Sequence, residues 1–286
     1  VGAPLDASPP GEARIALGLE YDGSSWAGWQ KQVSAPGRTI QENLEAALSR
    51  IAGHPVRTIA AGRTDAGVHA IAQVVHFDSP AERPERAWIE GVNSCLPHGM
   101  RVRWMQPAGA DFHARFSAVA RRYCYLVCNT PTRPALFRQY VAWERLPLDA
   151  KRMQEEGACL QGEQDFSAFR AAACSARSPR RQVHFLRVER RGDMVLLDIQ
   201  ANAFLQRMVR NIAGALMAVG TGRRPPGWVR QLLAGRDRTV AEPTAPAGGL
   251  YLVAVGYPQA CNMPSPPPDH TPFSFWGLGL KSMSLP

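Results

Sequence analysis

The sequence predicts a mixed α+β protein built as two similar α+β halves that share a central, mainly antiparallel sheet with flanking helices. Three observations lead there. The 286 residues exceed what one average domain of roughly 100 to 200 residues uses. A composition of 45% hydrophobic and 20% charged residues belongs to a globular chain able to bury a sizeable core. Segments of strand period and helix period then recur in a similar order in each half, although no sequence repeat is visible. The expected division is a flexible leader at 1–12, an N-terminal half at 13–115, a C-terminal half at 116–258 and a tail at 259–286. Pro264, Pro266, Pro267, Pro268 and Pro272 predict that the tail is disordered.

The elements follow from local pattern. Ile15, Leu17, Leu19 and Tyr21 alternate with Ala16, Gly18, Glu20 and Asp22, the period of a half-buried strand that ends at Asp22-Gly23. A loop with two exposed tryptophans, Trp26 and Trp29, is expected next. Thr39 to Ala52 reads as a helix, with Thr39 and Glu42 at capping-box spacing, one apolar stripe of Ile40, Leu44, Leu48 and Ile51, and Gly53 as its stop. Strand-like runs at Val56–Ala60 and Ala70–Phe77 flank a polar loop, and a helix near Pro84–Cys95 and a strand at Met100–Met105 complete this half. The second half opens with a strand at Arg122–Val127, Tyr123, Tyr125 and Val127 on one face and Cys124 and Leu126 on the other. A helix from Asp149, a hairpin through Arg191-Gly192-Asp193, a helix at Ala203–Val219 and a strand at Leu250–Val255 follow.

Composition excludes several classes. No run approaches the roughly 18 consecutive apolar residues of a membrane span. The opening VGAPLDASPPGEA lacks the basic start and apolar core of a signal peptide, so a cytoplasmic location is expected. Six cysteines without a C-x-x-C pair predict reduced thiols, with neither a zinc site nor a disulfide framework. Gly220-Thr-Gly222 lacks the third glycine and preceding strand of a dinucleotide site and no G-K-[ST] occurs, so no nucleotide cofactor is expected. The net charge of +9 fits an anionic partner, and every basic residue except Lys31, Lys151 and Lys281 is arginine, whose planar fork suits phosphates and bases. Codon bias would give the same arginine content.

The sharpest feature is Gly62-Arg63-Thr64-Asp65-Ala66-Gly67-Val68-His69, an acid, a cation and a histidine between two apolar runs. Flanking core strands can hold Asp65 at the mouth of a cleft, and a plain turn with Asp65 bonded to local amides is the competing reading. His69 and His76 lack a third metal ligand. An acid-protease reading of Thr64-Asp65-Ala66-Gly67 needs a second copy or a symmetric homodimer; the chain has no second copy and Arg63 would keep the acid ionised, which leaves it a weaker rival. On the helix expected at Ala203–Val219, Phe204, Met208, Ile212 and Leu216 form the core row, while Arg207, Arg210 and Asn211 share another flank. Either that flank is solvated or one arginine turns inward to a carboxylate. Basic residues recur beside aromatics in His113-Ala-Arg115-Phe116, in Arg121-Arg122-Tyr123-Cys-Tyr125 and in Arg177-Ser-Pro-Arg180-Arg181. Such runs fit RNA with splayed bases, or strand aromatics packed inward beneath snorkelling arginines.

Taken together, these segments closely resemble the tRNA pseudouridine synthase A family from Arg14 to Pro258. The marks are Tyr21-Asp-Gly with Gly28-Trp29-Gln30, the Asp65 loop, Asn93 before Leu96-Pro97, Phe112-His-Ala-Arg-Phe-Ser-Ala118, and Arg121-Arg-Tyr-Cys-Tyr125. Further marks are Asp165-Phe166 with Phe169 and Cys174, Phe204 to Ile212, and Ala245-Pro246 leading to Gly249-Leu250-Tyr251. The resemblance implies the pseudouridine synthase fold and an isomerase converting uridine to pseudouridine in the anticodon stem-loop of tRNA, at the positions conventionally numbered 38–40. It implies Asp65 as catalytic carboxylate, Arg63 displacing the target base, Tyr123 stacking on it and exchanging a proton, Arg210 pairing with Asp65, and Leu250 packing on the base. Arg121, Arg122, His113 and Arg115 are the expected further RNA contacts. A homodimer without metal or organic cofactor is implied. Trp26 stands where the family more often has a smaller aromatic, and the Pro-rich tail has no family counterpart. The rival reading is a noncatalytic RNA-binding module using the same basic cleft.

Overall fold

The computed structural model describes residues 11–264. The expected leader up to residue 10 and the Pro-rich tail from 265 onward lie outside the described residues, while Gln259–Cys261, expected in the tail, forms a single 3₁₀ turn. The chain is mixed α+β, with a large, mainly antiparallel sheet and few helices. It divides into two compact units. One runs to Val119 and takes up the chain again at Leu252, and the other is Ala120–Tyr251.

In the first unit β1 (Ala13–Tyr21) lies between β3 (His69–Ser79) and β4 (Met100–Ala108), antiparallel to both, and the two-residue β2 (Ile59–Ala60) pairs with β3. β1 is buried on both faces, not one. Small residues permit this: at Gly18 a Cβ would fall 2.0 Å from the indole nitrogen of Trp104, its register partner on β4. β2 is shorter than the expected Val56–Ala60 strand because its forerunners bond to a helix instead. Val56 N–H donates to Ser49 Oγ (2.9 Å) and Thr58 N–H to Glu45 Oε1 (2.8 Å). That helix, α1 (Ile40–Ala52), ends as expected at Gly53, whose φ of 80° is the left-handed region glycine adopts without strain. The helix expected at Pro84–Cys95 contains a π-helical turn at Ala87–Gly91 before α2 (Val92–Cys95).

The capping box at Thr39 does not form. Thr39 Oγ1 is buried without a hydrogen-bond partner, and Glu42 accepts from Gly37 N–H (2.6 Å). The first free amides of α1 are satisfied by backbone: Ile40 N–H donates to Gly28 O (3.1 Å) and Gln41 N–H to Trp29 O (3.0 Å). Trp29, expected at the surface, is buried, with Tyr21 6.1 Å away between ring centroids.

In the second unit the strand order is β5 (Ala120–Asn129), β9 (Met194–Ala201), β8 (Arg180–Arg191) and β7 (Gly162–Asp165), all antiparallel, with β6 (Ala142–Glu144) parallel to β5. The β8–β9 hairpin turns at Gly192 (φ 55°), as its sequence predicts. α3 (Ala150–Gly157) is capped by Asp149, which accepts from Arg152 N–H at 2.9 Å. α4 (Met208–Gly220) starts five residues later than its periodicity predicts and is buried almost all round. The backbone before it is committed elsewhere: Asn202 Oδ1 takes the Gln182 and Ala203 amides, Gln206 O takes the Ala171 amide, and Arg207 is left-handed (φ 63°). Phe204 is therefore no part of the helix row. α5 (Trp228–Gly235) follows, and then β10 (Leu250–Gly256), whose residues from Leu252 belong to the first unit.

Candidate active site

The loop holding Asp65 is fixed from three directions within the first unit. Thr64 Oγ1 hydrogen-bonds to the Tyr21 hydroxyl at 2.8 Å in the core, and burial pushes that phenol up to about 12. The Gln73 side chain of β3 donates to Gly62 O at 2.6 Å. Trp29 N–H donates to Thr64 O at 3.0 Å, so the backbone that satisfies the start of α1 also grips the loop. Contact here is too close for side chains. A Cβ on Gly28 (φ 99°) would lie 2.9 Å from Thr64 O and 3.0 Å from Ala66 N, and one on Gly23 would lie 1.9 Å from Val68 O. The loop closes with Val68 N–H on Asp65 O (3.1 Å) around Gly67 at φ 78°. Arg63 is exposed and Asp65 half-buried on this rigid turn. His69 accepts the Gly23 amide on Nδ1 (3.0 Å), and the same nitrogen lies 3.2 Å from Asp22 Oδ1.

His113 and Arg115 lie on a second turn of this unit. His113 Nδ1 accepts the amides of Arg115 and Phe116, each at 3.1 Å, and His113 is buried. Its imidazole thus organises the backbone of this turn. Beneath it His76 Nδ1 accepts the Ala114 amide (3.0 Å), and burial, with Arg14 and His113 adding to it, lowers His76 to about 4. Arg115 is exposed.

The second unit carries the other expected groups. Tyr123 on β5 is buried, edge-on to Phe204 with centroids 5.1 Å apart. Arg121 and Arg122, expected at the RNA surface, are buried as well. Arg122 grips Asp198 with both arms of its fork (Nε 2.8 Å, Nη2 2.5 Å), and Arg121 donates to Asn202 O (2.9 Å). Arg210, in the first turn of α4, donates through Nε to Ala245 O (2.8 Å) and accepts the Ala245 amide on its own carbonyl (3.3 Å). Tyr125, whose phenol burial raises and Arg210 partly lowers, donates to Pro246 O (2.9 Å). These bonds hold the Ala245-Pro246 segment leading to Leu250, the buried first residue of β10. Asn211, expected beside Arg210 on a polar flank, instead points inward, donating to Phe169 O (2.7 Å) and accepting from Thr244 Oγ1 (2.7 Å).

The sequence assigns no site role to Tyr21, Gln73, Gly28 or Asp198. Tyr21 and Gly28 stand in motifs that carry the family resemblance, which was their signal. Gln73 and Asp198 sit in apolar strands with nothing local to distinguish them.

Compared with known proteins, this arrangement falls in a class of enzyme, the pseudouridine synthases. A family model described as tRNA pseudouridine synthase matches residues 19–117 and 158–258, and the chain belongs to that family. It is 56% identical over 246 residues to tRNA pseudouridine synthase A of Methylococcus capsulatus, covering 86% of this chain and 90% of that protein. The protein of the same name in Cronobacter sakazakii is 52% identical over 254 residues, covering 89% and 93%, and that of Nitrosococcus oceani 54% identical over 251 residues, covering 88% and 96%. Among the described residues no helix is long and apolar enough to cross a membrane.

Proposed function

We propose that this protein isomerises uridine to pseudouridine in the anticodon stem-loop of tRNA, at positions 38–40, as a cytoplasmic homodimer. The observation that carries the proposal is the rigid loop around Asp65, in a chain more than half identical to proteins named for this reaction.

The reaction breaks the bond from the uracil N1 to the ribose C1′ and forms one from C5 to the same C1′. C5 loses a proton and N1 gains one, so atoms and electrons balance within the substrate and a base. Asp65 is the reactive carboxylate. Attack on the sugar, attack on the base and removal of a sugar proton all require it ionised, and Arg210 is its permanent cationic partner. Tyr123 stacks on the detached uracil and exchanges the C5 proton, and Leu250 packs on the base. Arg63, exposed beside Asp65, takes the place vacated when the uridine leaves its stack, a step costing a few kcal/mol. Arg115 contacts phosphate. Arg121 and Arg122 act by holding β5, and with it Tyr123, since their guanidiniums are committed to Asn202 and Asp198.

The test is release of tritium from tRNA carrying [5-³H]uridine. Stoichiometric release that maps to positions 38–40 is expected. Tight tRNA binding with no release would establish the rival RNA-binding module.

A further inference from the structure

Three rings in the first unit lead from core to solvent. His76, 1% exposed, meets His113, 7% exposed, with centroids 4.8 Å apart, and His113 stacks on Phe116 at 4.2 Å and 27°. Phe116 is 67% exposed. One exposed aromatic needs no explanation by itself. This one is unusual in being held. Its amide and that of Arg115 end on His113 Nδ1, Ser117 N–H returns to His113 O (2.9 Å), and His113 N–H donates to Ser117 Oγ (3.0 Å). The turn is anchored below by the Ala114 amide on His76 and by the Tyr257 hydroxyl on Ala114 O (2.7 Å). A large apolar ring is thus presented to water on a pre-ordered turn, with the exposed Arg115 guanidinium over it, 5.5 Å from its centroid. A ring already backed by a ring, with a flexible exposed arginine over it, is the arrangement that takes an unpaired base on its face as the guanidinium swings to a phosphate. The chain's net charge of +9 favours a polyanion there over a second copy of itself.

We propose that Phe116, backed by His113 and flanked by Arg115, is a stacking platform for an unpaired base of the tRNA. It adds binding surface to the groups that carry the reaction, and it rests on the reading of the protein as a tRNA-modifying enzyme. His113 is the pedestal on which the ring rests.

The full-length protein with Phe116→Leu or Phe116→Trp tests this, using an unmodified tRNA transcript. The leucine variant keeps apolar bulk without a ring and should bind the transcript roughly 5- to 150-fold more weakly. The tryptophan variant should bind within about threefold of the parent, since any aromatic face serves. Both should release tritium at the parent's rate under single turnover with saturating enzyme. Leucine-variant binding within twofold of the parent overturns the platform. So does equal loss in both variants, or dissociation of a dimer by the leucine variant in sedimentation equilibrium, which would assign the ring to a second copy. If the parent releases no tritium while binding still depends on the ring, the proposed function falls and the platform stands.

Discussion

Each unit buries an arginine that closes both arms of its fork on an aspartate, yet the two pairs serve different ends. In the first, Arg14 on β1 faces Asp78, its register partner on β3, with both contacts at 2.8 Å, and spends its remaining arm on Ala110 O and Phe112 O. In the second, Arg122 lies two residues along β5 from Cys124, the partner of Asp198, and meets Asp198 obliquely beside the Phe185 ring. Arg14 thus reaches out of the sheet to fasten the chain entering the His113 turn, whereas the Arg122 fork ties strand to strand at Asp198. Their solvation differs as well, the Asp78 side chain being 20% exposed and that of Asp198 9%. The same pairing is a loop anchor in one unit and a core fixture in the other, and location decides what breaking it costs.

Arg122→Met should therefore lose about 3–5 kcal/mol in urea unfolding, because it strands a buried carboxylate. Arg14→Met should lose about 1–3 kcal/mol, since water reaches Asp78. Equal losses would break the comparison.

Gly28→Ala acts on the first unit's loop by another route. A Cβ at φ 99° against Thr64 O would displace Asp65, and a shift of about 1 Å is worth roughly 10²-fold in turnover. Tritium release from labelled tRNA measures it, and an unchanged rate would mean that the loop is not held by its glycine neighbours.

Acid should separate the units further. His76 has a folded value near 4 against 6.5 in an unfolded chain, so between those values the unfolded state takes up a proton that the folded state refuses. Its contribution is complete above 6.5 and is lost as the pH falls toward 4, with a slope of at most about 1.4 kcal/mol per pH unit. His76→Gln should flatten this part of the stability curve. His184 in the second unit is also lowered by burial but is only partly buried, so His184→Gln should change the slope less.

The smallest effect is expected at helix starts. Thr39→Val removes an unpartnered hydroxyl and should be neutral or stabilising by up to about 1 kcal/mol, whereas Asp149→Ala should cost about 1 kcal/mol for its lost cap. Thermal unfolding of both variants decides the matter.

What the sequence made legible was local. Period-2 alternation located β1, the glycine at 53 ended α1, and Arg191-Gly192-Asp193 turned the β8–β9 hairpin, each by a force acting within a few residues. What it hid was settled by distant backbone. Thr39 and Glu42 have the right spacing for a cap, but Gly28 and Trp29 carbonyls reach the α1 amides first. The row from Phe204 to Leu216 is periodic, but Asn202 and Gln206 are drawn to Gln182 and Ala171, so the helix waits until Met208. For the site, the Asp65 loop stood out because acid, cation and glycines are contiguous. The protein partners of Arg122 and His113 could not be read, because Asp198 and His76 lie far away in sequence and look like ordinary strand residues.

The central claim is that the Asp65 carboxylate, held on a rigid loop, performs the chemistry and not the binding. Asp65→Asn keeps the shape of the side chain while removing its charge and basic oxygen. The decisive measurement is tritium release from [5-³H]uridine-labelled tRNA by this variant, with tRNA affinity measured in parallel. The account predicts a fall in rate of at least about 10²-fold with affinity within about threefold of the parent. A variant that still turns over at a tenth of the parent's rate or faster would contradict it.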